Sequence, residues 1–250
     1  MKRTRFITTL CLVALITGFT GCSKDESNVI SLKTTEKTLY YSDEYQIEAT
    51  STAAITYVVE NEYHANVSET GLITAKYVGE TNISLSNGED SKTFKVVVKP
   101  KSNLYPEPNV KFGDSKSALI AKYGKPNSET STSIAYTNYS SAAPILMFLF
   151  DSSGKMNGYS IMIKSTYTSI LADFFIERYM TFSMTDDMFI FINGLSSHTA
   201  TMVIGLELYN TSYWQAIYIP NPSKTQSPSL RSGANLEIKD EFDEILKGLL

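Results

Sequence analysis

Ala65-Asn-Val-Ser-Glu-Thr-Gly-Leu-Ile-Thr-Ala75 sets the architecture of the N-terminal third of the chain. Two short apolar-polar alternating runs, Ala65-Asn-Val67 and Leu72-Ile-Thr-Ala75, flank the turn residues Ser68-Glu-Thr-Gly71. That pattern predicts a β-hairpin in which Gly71 takes the positive φ a tight turn requires. The same alternation extends both ways. Upstream lie Val29-Ile-Ser-Leu32, Lys37-Thr-Leu-Tyr-Tyr41, Tyr45-Gln-Ile-Glu-Ala49 and Ile55-Thr-Tyr-Val-Val59; downstream lie Thr81-Asn-Ile-Ser-Leu85 and Thr93-Phe-Lys-Val-Val-Val98. Short period-two segments rich in β-branched residues, with turns between them, predict a small β-sandwich over residues 28–100.

The hairpin, followed by Val78-Gly79 and Thr81-Asn-Ile-Ser84, resembles the bacterial Ig-like domain, group 2. That family carries a V-S-x-x-G-x-[VI]-T-A turn, then a glycine, then T-x-I. Gly79 is expected to break the chain before the next strand. Tyr57 stands where the family usually has tryptophan and keeps an aromatic residue for the core. The resemblance implies a spacer or adhesive module on surface proteins. His64, alone beside Tyr63, is assigned no role.

The chain begins Met1-Lys-Arg-Thr-Arg5, followed by an apolar core from Phe6 to Phe19 that is shorter than the roughly 20 residues a membrane span needs. Phe19-Thr20-Gly21-Cys22 places a small residue directly before cysteine, which resembles the lipobox of bacterial lipoproteins. Residues 1–21 are thus expected to be a cleaved signal peptide and Cys22 the lipidated first residue; the alternative is a secretory signal with a chance cysteine at its cut. The membrane is the partner implied, through the lipid on Cys22. The acidic tether Ser23-Lys-Asp-Glu-Ser27 (residues 22–27 with the cysteine) resembles the export signal some Gram-negative lineages use to send lipoproteins to the cell surface; the plainer reading is a solubilising leash. Either way it reaches ~20 Å at most, at ~3.3–3.6 Å per residue.

Composition narrows the functions. Losing Lys2, Arg3 and Arg5 leaves 19 basic residues against 26 acidic ones, a net charge of −7. No basic stripe is visible to replace phosphate counterions, so nucleic acid is not an expected partner. Cys11 and Cys22 are the only cysteines, and Cys11 leaves with the signal. A lipidated Cys22 leaves no thiol for catalysis, an internal disulfide or a cysteine zinc site.

Lys99-Pro100-Lys-Ser-Asn-Leu-Tyr-Pro106-Glu-Pro108 reads as an extended, semi-rigid connection at a domain boundary. Beyond it, residues 104–250 predict an α+β unit. Asp114 or Ser115 caps a helix through Ala118–Tyr123, stopped by Gly124 and Pro126. Three strands follow at 133–139, 145–150 and 156–163, with Asp151-Ser-Ser-Gly-Lys155 turning between the last two. A second helix, Ile170–Tyr179, is capped by Thr168 or Ser169, and three strands at 188–192, 201–209 and 213–219 follow it, with Asn210-Thr-Ser212 as a turn. Helix plus three strands, twice, at a period of about fifty residues suggests a tandem repeat with helices on one face of an antiparallel sheet. Phe112-Gly-Asp-Ser-Lys-Ser and Tyr123-Gly-Lys-Pro126 are similar to the start of tandem helix-and-sheet modules related to the β-lactamase-inhibitor-protein fold, which implies protein binding. A polar loop leads to an amphipathic helix, 237–250, with Ile238, Phe242, Ile245, Leu246 and Leu249 on one face. It is expected to cap the second unit's core; docking on a partner is the alternative.

No catalytic constellation emerges. His198 lies in a loop, no G-x-S-x-G elbow or phosphate-binding glycine loop is present, and Asp186-Asp187 are neighbours that point apart on a strand. Asp151-x-x-Gly154 lacks the oxygen ligands of a calcium loop. No cofactor and no metal are expected. Tyr213 and Trp214 are the candidate ligand contacts, since such rings stack on glycans or fill protein pockets. The leading expectation is a surface-exposed, non-enzymatic binding or adhesion lipoprotein of the Gram-negative outer membrane, engaging a protein or a glycan. A periplasm-facing scaffold or inhibitor is the second, and a cryptic hydrolase the third.

Overall fold

The computed structural model describes residues 28–185, 188–221 and 233–249, and side chains within the last segment from Ile238 on. Cys22, its acidic tether and Asp186-Asp187 lie outside the described residues.

The N-terminal unit is a β-sandwich. Strands β1 (Ser31–Leu32) and β4 (Ala49–Thr50) pair at one end; β2 (Glu36–Tyr40), β9 (Ser91–Lys99), β8 (Gly79–Ser86) and β5 (Thr56–Val59) form one sheet in that order; β3 (Glu44–Gln46), β7 (Leu72–Ala75) and β6 (Ala65–Val67) form the other. Pairs are antiparallel except β2 with β9, which run parallel. Alternation decides what is inside: Ile83, Leu85, Phe94, Val96 and Val98 face Ile47, Ala65, Ile73 and Ala75 across the two sheets, all nearly inaccessible. The segment 45–49 divides where its pairing changes, β3 lying against β7 and β4 against β1, while Tyr45, Ile47 and Ala49 all keep to the core side. Gly71 has φ 82°, and a Cβ there would lie 2.8 Å from the Tyr57 ring, so the glycine also makes room for that half-buried aromatic over the hairpin.

The second unit is built on one eight-stranded antiparallel sheet. Its strands are β10 (Ser128–Glu129), β11 (Ser133–Thr137), β12 (Ile145–Phe150), β13 (Met156–Lys164), β14 (Met180–Met184), β15 (Met188–Ile192), β16 (Met202–Asn210) and β17 (Tyr213–Pro220). Helix α1 (Lys116–Tyr123) precedes β10, and α2 (Thr168–Ile176) precedes β14. The spatial order β10-β11-β12-β13-β17-β16-β15-β14 is a palindrome about the β13–β17 pair. Each half is therefore one helix and four strands in the same order, the two related by a pseudo-twofold. The repeat expected from the sequence is present with a fourth strand per copy. β10 is only two residues long, and bulged β14 is half exposed, so neither produced a readable apolar run.

Local chemistry fixes the ends of these elements. Ser115 Oγ accepts the Ala118 N–H at 3.2 Å and is the cap of α1; Gly124, at φ 85°, closes it. Asp151 Oδ1 accepts the N–H groups of Ser153 and Lys155 (2.8 and 3.0 Å), tightening the β12–β13 turn. Asn210 Oδ1 does the same for Ser212 and Tyr213. Helix α2 departs from expectation: it starts at Thr168 after a 3₁₀ turn (Ser165–Tyr167), with no side-chain cap, and Thr168 Oγ1 donates back to Ser165 O.

The sheet is covered on both faces, which corrects the expectation of helices on one face only. Leu119 of α1 and Leu171, Phe174 and Phe175 of α2 pack on the face bearing Leu146, Phe148, Phe150, Ile161 and Tyr218. Helix α3 (Gly233–Lys247) sends Phe242 and Leu246, both fully buried, into the opposite face with Met147, Leu149, Met162, Ile217 and Val203. Lys239 fastens it by bridging Glu207 of β16 (2.9 Å) and Asp243 (3.1 Å). The physical reason is written in β12: Ile145-Leu-Met-Phe-Leu-Phe150 is apolar at every position and buried at every position, so both sides needed cover.

Candidate functional site

Two concavities stand out among the described residues, and they differ in chemistry. The first lies where the β-sandwich, the connecting segment and the second unit meet.

The connecting segment is less a hinge than a strap. Leu104 and Tyr105 are buried in the second unit; Tyr105 packs on Phe174 at 4.5 Å and shares a 2.8 Å hydrogen bond with the Tyr218 hydroxyl. Just past α2, Glu177 is 6% exposed, and its Oε2 accepts from Lys101 N–H, Ser102 N–H and Ser102 Oγ at 2.9, 3.0 and 2.9 Å. Arg178 is 8% exposed. Its Nη1 donates to Phe174 O (3.0 Å) and Ser102 Oγ (3.3 Å), Nη2 to Ser102 O (3.1 Å), and Nε faces Glu107 Oε2 at 3.3 Å. Its guanidinium also lies 3.8 Å above the Phe174 ring. Glu107 accepts the Tyr179 hydroxyl on its other oxygen. Desolvation of its inner oxygen face, on a side chain that is still 34% exposed, pushes the Glu107 carboxyl upward from the ordinary carboxylate value, against the Tyr179 hydrogen bond and the Arg178 charge that act the other way.

The sandwich docks onto this cluster through two loops, one leading into β6 and one into β8. The Tyr63 hydroxyl reaches the carbonyls of Arg178 and Ile192 (2.8 and 3.3 Å), and Val78 N–H donates to Glu177 O at 2.9 Å. Tyr63 stacks on Tyr77 at 4.6 Å, and His64 packs against Tyr63 edge-on with Nδ1 3.1 Å from Tyr77 O. Gly79 opens β8 rather than breaking the chain before it. Its φ is 145°, and a Cβ there would fall 2.1 Å from the His64 ring, so the glycine is what lets the imidazole lie flat on the strand.

Between these walls is a cleft of about 560 Å³. Asn61, Glu62, Tyr63 and His64 line it from the sandwich, Glu107, Arg178 and Tyr179 from its floor, and Asn193, Leu195 and Thr199 from the loop between β15 and β16. A cavity of that size at a junction of two units has the setting of a ligand site. Sequence reasoning missed it, because its residues come from five separated segments and only folding juxtaposes them. Within the chain, the adjacent Glu177-Arg178 at the end of an apolar helix was the available signal.

The second concavity is an apolar groove of about 320 Å³ beside α2, lined by Leu171, Ile176, Met184, Phe191 and Trp214 among others. Trp214 is half-buried, with its Nε1–H donated to Thr168 Oγ1 at 2.8 Å. Tyr213 projects to the opposite face of the sheet, among the residues under α3. Consecutive strand residues alternate faces, so the two rings do not form one contact surface. His198 is exposed in the 193–201 loop, beside Ser197, with no carboxylate partner among the described residues. Among those residues no group of three or more His, Cys, Asp or Glu could hold a metal, and no helix is long and apolar enough to cross a membrane.

No family model and no curated protein matches the chain. Solved structures overlay on it loosely. Domains 4–9 of the surface layer protein SbsC give a TM-score of 0.27 at 11% identity, covering 80% of this chain, which spans 27% of that one. The C-terminal domain of TagH gives 0.27 at 12% identity, with 67% and 98% covered. The Bacteroides ovatus mixed-linkage glucan utilization locus SGBP-B, in complex with a mixed-linkage heptasaccharide, gives 0.27 at 11% identity, with 78% and 62% covered. Overlays this loose bear on neither ligand nor activity. The chain is a β-rich, multi-unit protein in which an all-β sandwich precedes an α+β sheet unit.

Proposed function

We propose that this chain is a lipoprotein anchored through Cys22, displayed at the outer surface of a Gram-negative cell, and that it acts as a non-enzymatic binding protein. Residues 1–21 are the signal, 22–27 the lipidated tether, 28–100 an Ig-like spacer of the group 2 kind and 104–250 the recognition unit. The observation that supports a binding role is the cleft that the sandwich and the sheet unit wall together over Glu107 and the buried Arg178 and Tyr179 that it bonds. Its one histidine, His64, has Nδ1 engaged by Tyr77 O and its ring packed on Gly79, an arrangement that serves the sandwich and leaves no activated nucleophile beside it. Two or more acyl chains on Cys22 would make the anchorage stable.

Radiolabelled palmitate should enter the wild-type protein and not Cys22→Ser, and protease added to intact cells should remove the second unit. Protection of that unit would favour the periplasm-facing alternative, a scaffold or inhibitor. A specific feature suits that second reading: the apolar groove beside α2, where Ile176 and Met184 are 40% and 69% exposed. Steady hydrolysis of an ester or glycan by the pure protein would overturn the non-enzymatic reading.

A further inference from the structure

We infer, resting on the binding role proposed above, that the cleft between the two units is the ligand site and that it takes an uncharged, hydroxyl-rich ligand, an oligosaccharide. The choice follows from which polar groups in the cleft are already spent. Arg178 is the cation on its floor, and its guanidinium nitrogens are directed to Glu107, Ser102 and Phe174 O at 3.0–3.3 Å. A phosphate, sulfate or carboxylate ligand would have to displace those partners from a side chain only 8% exposed. A cationic ligand fares little better. The carboxylates it would meet are Glu107, already facing Arg178, and Glu62; both are exposed, so solvent screens their attraction.

What remains open is hydrogen-bond acceptance with one amide. Among the described residues the Glu62 carboxylate and Asn61 Nδ2 have no partner, and each Glu107 oxygen has lone-pair capacity beyond its bond to Tyr179 or Arg178. Sugar hydroxyls are donors that pair with carboxylates and amides without bringing charge. The walls also carry Tyr63, Val78, Leu195 and Met202, apolar surface for the C–H faces of pyranose rings. The Glu177 and Tyr63 contacts hold both walls in place before binding, so little of a weak ligand's interaction is lost to ordering the site.

The test is an array of cello-, xylo-, manno- and arabino-oligosaccharides, with deacetylated chitosan hexamer as a cationic probe and heparin hexasaccharide as an anionic one. It is read with the full-length lipidated protein in detergent micelles. At least one neutral oligosaccharide should bind. Glu62→Ala, which removes an exposed acceptor, and Leu195→Trp, which fills the mouth, should each weaken that binding tenfold or more. Trp214→Phe, in the separate groove, should leave it unchanged. Unchanged urea midpoints for Glu62→Ala and Leu195→Trp confirm that the fold is intact. Cleft variants that bind like wild type while Trp214→Phe loses binding would move the site to the groove and overturn the inference. Binding of chitosan or heparin alone would overturn the ligand class. A silent array from a protein that protease shaves off intact cells would overturn the inference and leave the surface-binding role standing. A protected, periplasmic protein overturns that role whatever the array shows.

Discussion

Replacing Glu177 by alanine should loosen the strap that joins the two units, at a cost the geometry allows to be estimated. One carboxylate oxygen accepts from Lys101 N–H, Ser102 N–H and Ser102 Oγ within 3.0 Å, and the Glu177 side chain is 8% exposed, so water does not readily take its place. Each stranded backbone N–H costs about 1–3 kcal/mol, and the Ser102 hydroxyl can rotate to another acceptor. Arg178 also loses one of its two nearby carboxylates, at 3.8 Å, while keeping Glu107 at 3.3 Å. Since the three bonds share one oxygen they do not add fully, and about 3 kcal/mol is expected. Glu177→Gln keeps a neutral acceptor and should lose about 1 kcal/mol. Trp214 is the only tryptophan and packs beside α2, so its fluorescence follows urea unfolding of the second unit. With a slope of about 3 kcal/mol/M, Glu177→Ala should lower the midpoint by about 1 M. Trypsin supplies a second readout, because the Lys101-Ser102 bond should be cut faster once Ser102 is released. A midpoint within about 0.2 M of wild type, with unchanged cleavage at Lys101, would refute the assignment of Glu177 as the clamp.

Phe242→Ala opens a cavity under α3 in a fully buried site and should cost about 3–5 kcal/mol in the same urea assay, with little change if α3 does not pack on the sheet. Gly79→Ala places a methyl against the His64 ring at a positive φ; the sandwich should lose about 2 kcal/mol or more by circular dichroism, and His64→Ala in the same chain should restore part of it. Glu107 carries a pH signature. Its folded-state value is raised by burial, so the folded protein holds that proton more tightly than the unfolded chain. Its contribution is fully present below the ordinary carboxylate value and is lost as pH rises through the raised one. Urea midpoints of wild type should therefore fall relative to Glu107→Gln as pH rises above the ordinary carboxylate value, and a difference that grows the other way would contradict the assignment.

Alternation and turn chemistry carried most of the local structure. The runs at 29–98 became the strands of a sandwich because period-two patterning commits one side of each strand to a core, and Gly71, Asp151 and Asn210 close turns through their own backbone or side chains. The tandem order of helix and strands was equally legible. Two strands escaped notice because edge strands β10 and β14 are short or half-solvated and carry no clear apolar period. Ile145–Phe150 held a clue to the third layer, since a strand with no polar side must be covered twice.

Trp214 and Tyr213 show the limit of reading one residue at a time: neighbours in sequence, they face opposite sides of the sheet, one lining the groove and the other under α3. The cleft shows it more fully. Asn61–His64, Glu107, Arg178-Tyr179 and Asn193–Thr199 are unremarkable polar segments in the sequence, separated by spacings that follow no period. By itself the sequence determined the helices and the well-patterned strands, because caps, turns and apolar periodicity are set by residues a few positions apart. Only the tertiary structure decided that the strap is buried, that α3 lies across the sheet from α1 and α2, and that four distant polar segments enclose one cleft. Those depend on which apolar faces must meet, and a buried carboxylate such as Glu177 finds its donors only after they do.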